Sequence, residues 1–274
     1  VPSGKKARQQ RHEAAQSGKT PPPVRSKGGG GGAGSRFSRR TWIIAGVVLL
    51  VVIGLGVGLP LALSSNGSSS SSSGTQTTSV SAHVAPLSTL GKLEPAPPLG
   101  PAGPEGPPLE TGGNLAPAGS PSPGQSVDGI SCQSSEQLLF HVHTRLTVFV
   151  DGKQKVVPYG VGIADPQLQP GLGTPFVAAG SCFSWLHTHA ADGIIHIESP
   201  VKRTFTLGNF FDIWGQPLSA TQVGPEKGKV TAMYNGQVWT GNPRDIPLGS
   251  HTQIQLEVGD PLVAPILITN WGQL

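Results

Sequence analysis

Residues Trp42 to Leu63 form 22 consecutive uncharged, mostly apolar positions. The hydrocarbon core of a bilayer offers backbone groups no hydrogen-bond partner, and a helix crossing it needs about 20 such residues. The run therefore predicts a transmembrane helix over 42–63. Ten Lys/Arg crowd the 41 residues before it, ending in Arg39-Arg40, whereas the first formally charged residue beyond it is Lys92. By the positive-inside rule the tail faces the cytoplasm and everything after Ser64 lies outside. The expected location is the cell membrane, single-pass, with an extracytoplasmic C-terminal domain.

The same tail accounts for the basic pI of about 9.2. The rest of the chain carries nine Lys/Arg against fourteen Asp/Glu, a net charge of −5. A mildly acidic body argues against nucleic-acid binding. The expected partner is the membrane, through one helix.

Composition divides the chain further. Residues 1–41 are rich in Gly, Ser and basic residues, lack apolar periodicity and read as a disordered cytoplasmic tail. Residues 64–127 are Ser-rich, then Pro/Gly/Ala-rich, and read as a disordered linker. Within them Gly100-Pro-Ala-Gly-Pro-Glu-Gly-Pro-Pro mimics collagen triplets until Leu109 breaks the period. Only 128–274 has a globular pattern, and about 150 residues suffice for one core.

In that domain Leu139 to Val150 alternates, with Phe140, Val142, Leu146 and Val148 on one face and His141, His143, Arg145 and Thr147 on the other. Asp151-Gly152 signals a hairpin returning through Lys153 to Val157. Phe183 to His189, Ile194 to Ser199, Val230 to Tyr234 and Thr252 to Val258 read as further strands. Leu207, Phe210, Phe211 and Trp214 fall at i, i+3, i+4 and i+7, which predicts one short core helix with Thr206 as N-cap and Gly215 as terminator. The fold class is α+β, mostly β: a sheet of antiparallel or mixed hairpins with one short helix, β-grasp-like or a small sandwich.

Five of the eight histidines arrive in three short motifs, His141-Val142-His143, His187-Thr188-His189 and His196-Ile197-Glu198. Side chains alternate along a strand, so each H-x-H or H-x-E pair projects both groups to one side. With Asp192-Gly193 as a two-residue turn, His189 would lie opposite His196 and His187 opposite Glu198. A longer turn that shifts the register by two keeps all four co-facial. Imidazole nitrogens with a carboxylate suit a transition metal ion, zinc or copper in the first place. The chain has one methionine, which argues against a methionine-rich Cu(I) carrier. Cys132 and Cys182, an isolated pair in an oxidising compartment, predict a disulfide. It would staple the approach to His141 onto the approach to His187.

The motifs His141-x-His143, His187-Thr-His189 with Gly193-x-Ile195-His196-x-Glu198, and Thr206-Leu207-Gly208-x-Phe210-Phe211-x-x-Trp214-Gly215 resemble those of a largely uncharacterised family of membrane-anchored extracytoplasmic proteins of bacteria and archaea. The resemblance spans about Cys132 to Val258 and implies export and one folded unit, with no established activity. Family members commonly place Asp after H-T-H, where this chain has Ala190.

Three functions follow from these residues. The first is a membrane-tethered metal-binding domain that captures, buffers or presents zinc or copper through His141, His143, His187, His189, His196 and Glu198. The second is a metal-dependent enzyme. The third is a structural or partner-binding module with incidental histidines.

Overall fold

The computed structural model describes residues 80–274. The expected tail, the transmembrane helix and residues 64–79 of the expected linker lie outside the described residues. Among the described residues no helix is long and apolar enough to cross a membrane.

The alternating stretch Phe140–Val150 becomes an eleven-residue strand at the middle of the main sheet. In chain order the eight strands of that sheet are β1 (Val84–Ala85), β2 (Phe140–Val150), β3 (Lys153–Lys155), β4 (Leu186–His187), β5 (Ile194–Ser199), β6 (Val230–Tyr234), β7 (Gln237–Trp239) and β8 (Thr252–Val258). Spatially they run β1-β7-β6-β8-β2-β5-β4, and β3 returns on β2. All pairings are antiparallel except β8 with β2, which makes the sheet mixed.

One face of this sheet is apolar. Leu146 and Val148 of β2, Ile195 and Ile197 of β5, and Ile254, Leu256 and Val258 of β8 all enter the main core. Helix α1 (Leu207–Trp214) contributes Leu207, Phe210, Phe211 and Trp214 to the same core, the stripe its spacing predicts. Burial of each such side chain is worth about 1.5–3 kcal/mol. Thr206 and Asn209 form a reciprocal cap at the N-terminus of α1, and Gly215 closes its C-terminus in the left-handed region.

The opposite face is polar yet also buried. Gln255 and Glu257 of β8 are 3 % and 1 % exposed. An irregular C-terminal segment covers them, and buried backbone outside helices and sheets must find other partners for its polar groups. The strand side chains supply those partners. Gln253 Oε1 accepts from the Ile268 amide at 2.7 Å, Gln255 Oε1 from the Ile266 amide at 2.9 Å, and Glu257 Oε1 from the Val263 amide at 3.2 Å.

The expectation of a disordered linker fails from Val80 onward. That segment lacks apolar periodicity because it borrows order from the sheet. The Glu110 amide donates to Ala191 O at 2.8 Å, the Leu115 amide donates to Val156 O at 2.9 Å, and the Trp214 indole donates to Pro117 O at 2.8 Å. Leu115 and Ala116 join the core.

A further correction concerns Phe183 to His189, read as one strand. Cys182–Ser184 pairs instead with Ile130–Gln133 and Ile163–Ala164 in a separate small sheet, and only Leu186–His187 joins the main one. The expected disulfide is present between Cys132 and Cys182, both buried, and it clips Ile130–Gln133 onto the segment that leads into β4.

Candidate metal centre

Pairing of β2 with β5 places His143 opposite His196 and His141 opposite Glu198. Pairing of β5 with β4 places His187 opposite His196. A row His143–His196–His187 therefore crosses three strands. The hairpin expected from a two-residue turn would have paired His189 with His196, so the register has moved by two. Asp192 Oδ1 accepts from the Ile194 amide at 3.0 Å, and Gly193 takes φ 76° with its carbonyl on the Leu146 amide at 2.8 Å. This anchored turn is longer than two residues. Because side chains alternate with period two, the shift leaves all four groups on one face. His189 lies beyond the end of β4, where its carbonyl accepts from the Val177 amide at 2.9 Å.

The rings are oriented from behind. His187 Nδ1 lies 2.8 Å from Ser184 O, and His189 Nδ1 lies 2.6 Å from Val177 O. A carbonyl can only accept, so each Nδ1 carries the proton and each neutral ring keeps a bare lone pair at Nε2. Those two Nε2 atoms face each other at 3.0 Å. Two lone pairs at that distance repel unless a cation lies between them. Nitrogen ligands at about 2.0–2.1 Å from an ion, subtending roughly 90–110°, stand about 2.8–3.4 Å apart. A backbone carbonyl on the far nitrogen is also how metal-ligating histidines are ordinarily held.

His141 and His143 form a second such pair, Nε2 to Nε2 at 3.0 Å. Glu198 lies between the pairs: Oε1 is 3.1 Å from His141 Nε2, and Oε2 is 3.8 Å from His187 Nε2. Glu198 Oε2 and His196 Nδ1 are buried without a hydrogen-bond partner. Buried polar atoms are almost always paired, so unmet ligand atoms aimed into a histidine cluster fit a cation. Ligand atoms of His187, His189, His196 and Glu198 lie within 4.8 Å of one another, as do those of His141, His143 and His196. These residues could hold a metal ion. His251 stays out of the cluster, stacked on Trp271 with centroids 4.4 Å apart.

Two further carboxylates belong to the site. Glu105, within the collagen-like stretch, reaches His196 Nε2 at 3.3 Å, and Glu136 reaches His189 Nε2 at 3.5 Å. Neither lies in a motif with the histidines, and 91 residues separate Glu105 from His196. The nearest sequence signal for Glu105 is the Gly/Pro spacing around it. A Cβ at Gly106 would run into Gly272, and the Gln273 amide donates to Glu105 O at 3.1 Å, so this turn packs on the C-terminal segment.

The electrostatics separate the imidazoles. Burial, then His196 and His141, drives the His143 imidazolium down to about 3. His187 is held well below its ordinary value by burial and by His189 and His196. Burial and the charge of His196 also lower His189. Burial pulls His196 down as well, but the hydrogen bond to Glu105 and the flanking carboxylates outweigh it and carry it up to about 9. Neutral imidazoles are the form that binds metal. Burial would raise Glu105, yet its bond to His196 holds it below the usual carboxylate range. Glu136 is raised by burial and by the charge of Glu198.

The cluster opens into a cavity of about 540 Å³ whose walls include Phe176, Leu172 and Ala178 together with Glu105, Glu136 and Glu198. The Phe176 ring stacks on His189 with centroids 5.2 Å apart. Ala190, where the resemblance leads one to expect Asp, is buried at 1 % exposure, and the acid beside His189 is Glu136. Comparison with protein-family models, curated proteins and solved structures gives no match to this chain.

Proposed function

We propose that this domain binds a transition-metal ion of the zinc or copper(II) type outside the cytoplasmic membrane, where it captures, buffers or presents it. The observation that carries this reading is the facing Nε2 pair of His187 and His189, whose tautomers are set by Ser184 O and Val177 O. Two unprotonated nitrogens held 3.0 Å apart inside the protein make sense around a cation. The extracytoplasmic setting is supported by the apolar run 42–63 with its basic flank, and by a disulfide of the kind that persists in oxidising compartments.

A second reading, a metal-dependent enzyme, is favoured by one observation. The cluster is not sealed: the cavity above it would admit a small molecule to the ion.

The test is metal analysis of the purified full chain by mass spectrometry, beside His187→Ala and His189→Ala. Stoichiometric zinc or copper in the wild type, with the metal content lowered by at least one ion in each variant, is the expected result. A wild type with no metal above background and no thermal response to either ion would overturn the proposal.

A further inference from the structure

The donor set is larger than one ion needs. Five imidazoles and three carboxylates surround the cluster, whereas a single ion of this type takes about four to six ligands. The nitrogens are also divided. His141 and His143 make one pair at 3.0 Å, and His187 and His189 make another at 3.0 Å. Glu198 turns a different oxygen to each pair, Oε1 toward His141 at 3.1 Å and Oε2 toward His187 at 3.8 Å.

We infer that the site is dinuclear: Glu198 bridges two divalent ions, one held by His187 and His189 and the other by His141 and His143. This rests on the metal-binding reading above and extends it to the number of ions and the way they are joined. A carboxylate that spans two ions uses one oxygen on each, which is the division Glu198 already shows. His196 belongs to both ligand groups, and it lies between His143 and His187 in the cross-strand row. Glu105 and Glu136 add carboxylates against His196 and His189.

Charge points the same way. Glu105, Glu136 and Glu198 line the cavity, and no Lys or Arg does among the described residues. One divalent ion with neutral imidazoles leaves a net negative charge in a largely buried site. Two ions compensate the three carboxylates and leave one positive charge for an incoming anion, hydroxide or solvent oxygen. Two-metal sites hold their ions about 3.5–4 Å apart, close enough for one small ligand to touch both. The cavity gives such a ligand access.

The experiment is a Cu(II) titration of the full chain, read by metal analysis after gel filtration and by electron paramagnetic resonance. The expected result is two copper ions per chain, with a dipolar-broadened spectrum and a half-field transition. Glu198→Gln removes the bridging carboxylate and is expected to retain a single ion with an isolated-copper spectrum. His141→Ala paired with His143→Ala is also expected to retain one ion. Far-ultraviolet circular dichroism verifies that each variant is folded. One ion per wild-type chain at saturating copper overturns the dinuclear site and leaves the single-ion reading standing. No bound copper overturns both. Two ions with the spectrum of isolated centres overturn the bridge.

Discussion

His187 and His189 present their Nε2 atoms to each other at 3.0 Å while each holds its Nδ1 against a backbone carbonyl. The Ser184 and Val177 carbonyls thus settle the tautomer before any ligand arrives. Side chains two apart on an extended chain share a face, but only these carbonyls make both rings acceptors toward the same point. Such preorganisation lowers the ordering entropy that metal binding must overcome.

Metal should therefore stabilise the fold measurably. With free zinc or copper at about one hundred times its dissociation constant, linkage adds about 2.7 kcal/mol. For a domain of this size that raises Tm by roughly 5–10 °C. In His187→Ala or His189→Ala the rise should shrink by about half or more, as read by scanning fluorimetry. An undiminished shift in both variants would place the ion elsewhere.

Residues 80–127 should be indispensable. Cutting the chain at residue 128 removes Leu115 from the core, the Pro117 carbonyl from the Trp214 indole and Glu110 from Arg145. Arg145 is 2 % exposed and lies 3.8 Å from Glu110, so the cut leaves a buried cation with one acidic neighbour fewer. We expect a 128–274 fragment to be protease-sensitive and to lack a cooperative melt, whereas an 80–274 fragment resists proteolysis. Equal resistance of the two fragments would show that the earlier segment is dispensable.

Reduction of the Cys132–Cys182 bond releases a loop whose ends are 50 residues apart. In the chain-entropy picture that costs about 4 kcal/mol. Denaturant titration with and without a reducing agent should show the loss, and Cys132→Ser paired with Cys182→Ser should reproduce it. The clip sits outside the main sheet, so metal stoichiometry of the folded reduced protein should stay the same.

Glu257 makes stability depend on pH away from the site. Burial raises its carboxyl to about 7, against hydrogen bonds from Gln255 and the Val263 amide that pull it down. An acid whose folded value is raised favours the fold fully below its unfolded value near 4.5, and that contribution is lost as pH rises through about 7. Glu257→Gln should match the wild type near pH 4 and exceed it at pH 8, by on the order of 2–3 kcal/mol. Parallel stability curves for the two proteins across this range would remove Glu257 as the cause.

Much of the site was legible in local pattern. Period-two alternation alone places His141 with His143, and His196 with Glu198, on common faces, and 3.6-residue spacing alone marks α1 as a core element. The Cys pair was legible too, since two cysteines in an oxidising setting have one pairing to make. Turn chemistry was the first place where local pattern ran out. Asp192-Gly193 looks like a two-residue hairpin, but hydrogen bonds from the Ile194 and Leu146 amides lengthen it and move His187 opposite His196.

The remainder belongs to long-range packing. Glu105 sits in a Pro/Gly stretch with no periodicity of its own, and its place beside His196 depends on a turn seated against Gly272 and Gln273. Glu110, Gln255 and Glu257 read as ordinary polar residues, yet they are buried because irregular chain lies over them and needs hydrogen-bond partners. By itself the sequence determined which residues share a face, because that depends only on backbone periodicity. Tertiary structure decided which faces meet, and with them the facing nitrogens and the two oxygens of Glu198. Those depend on strand register and on closing loops of many residues, and neither is written in any local run of the chain.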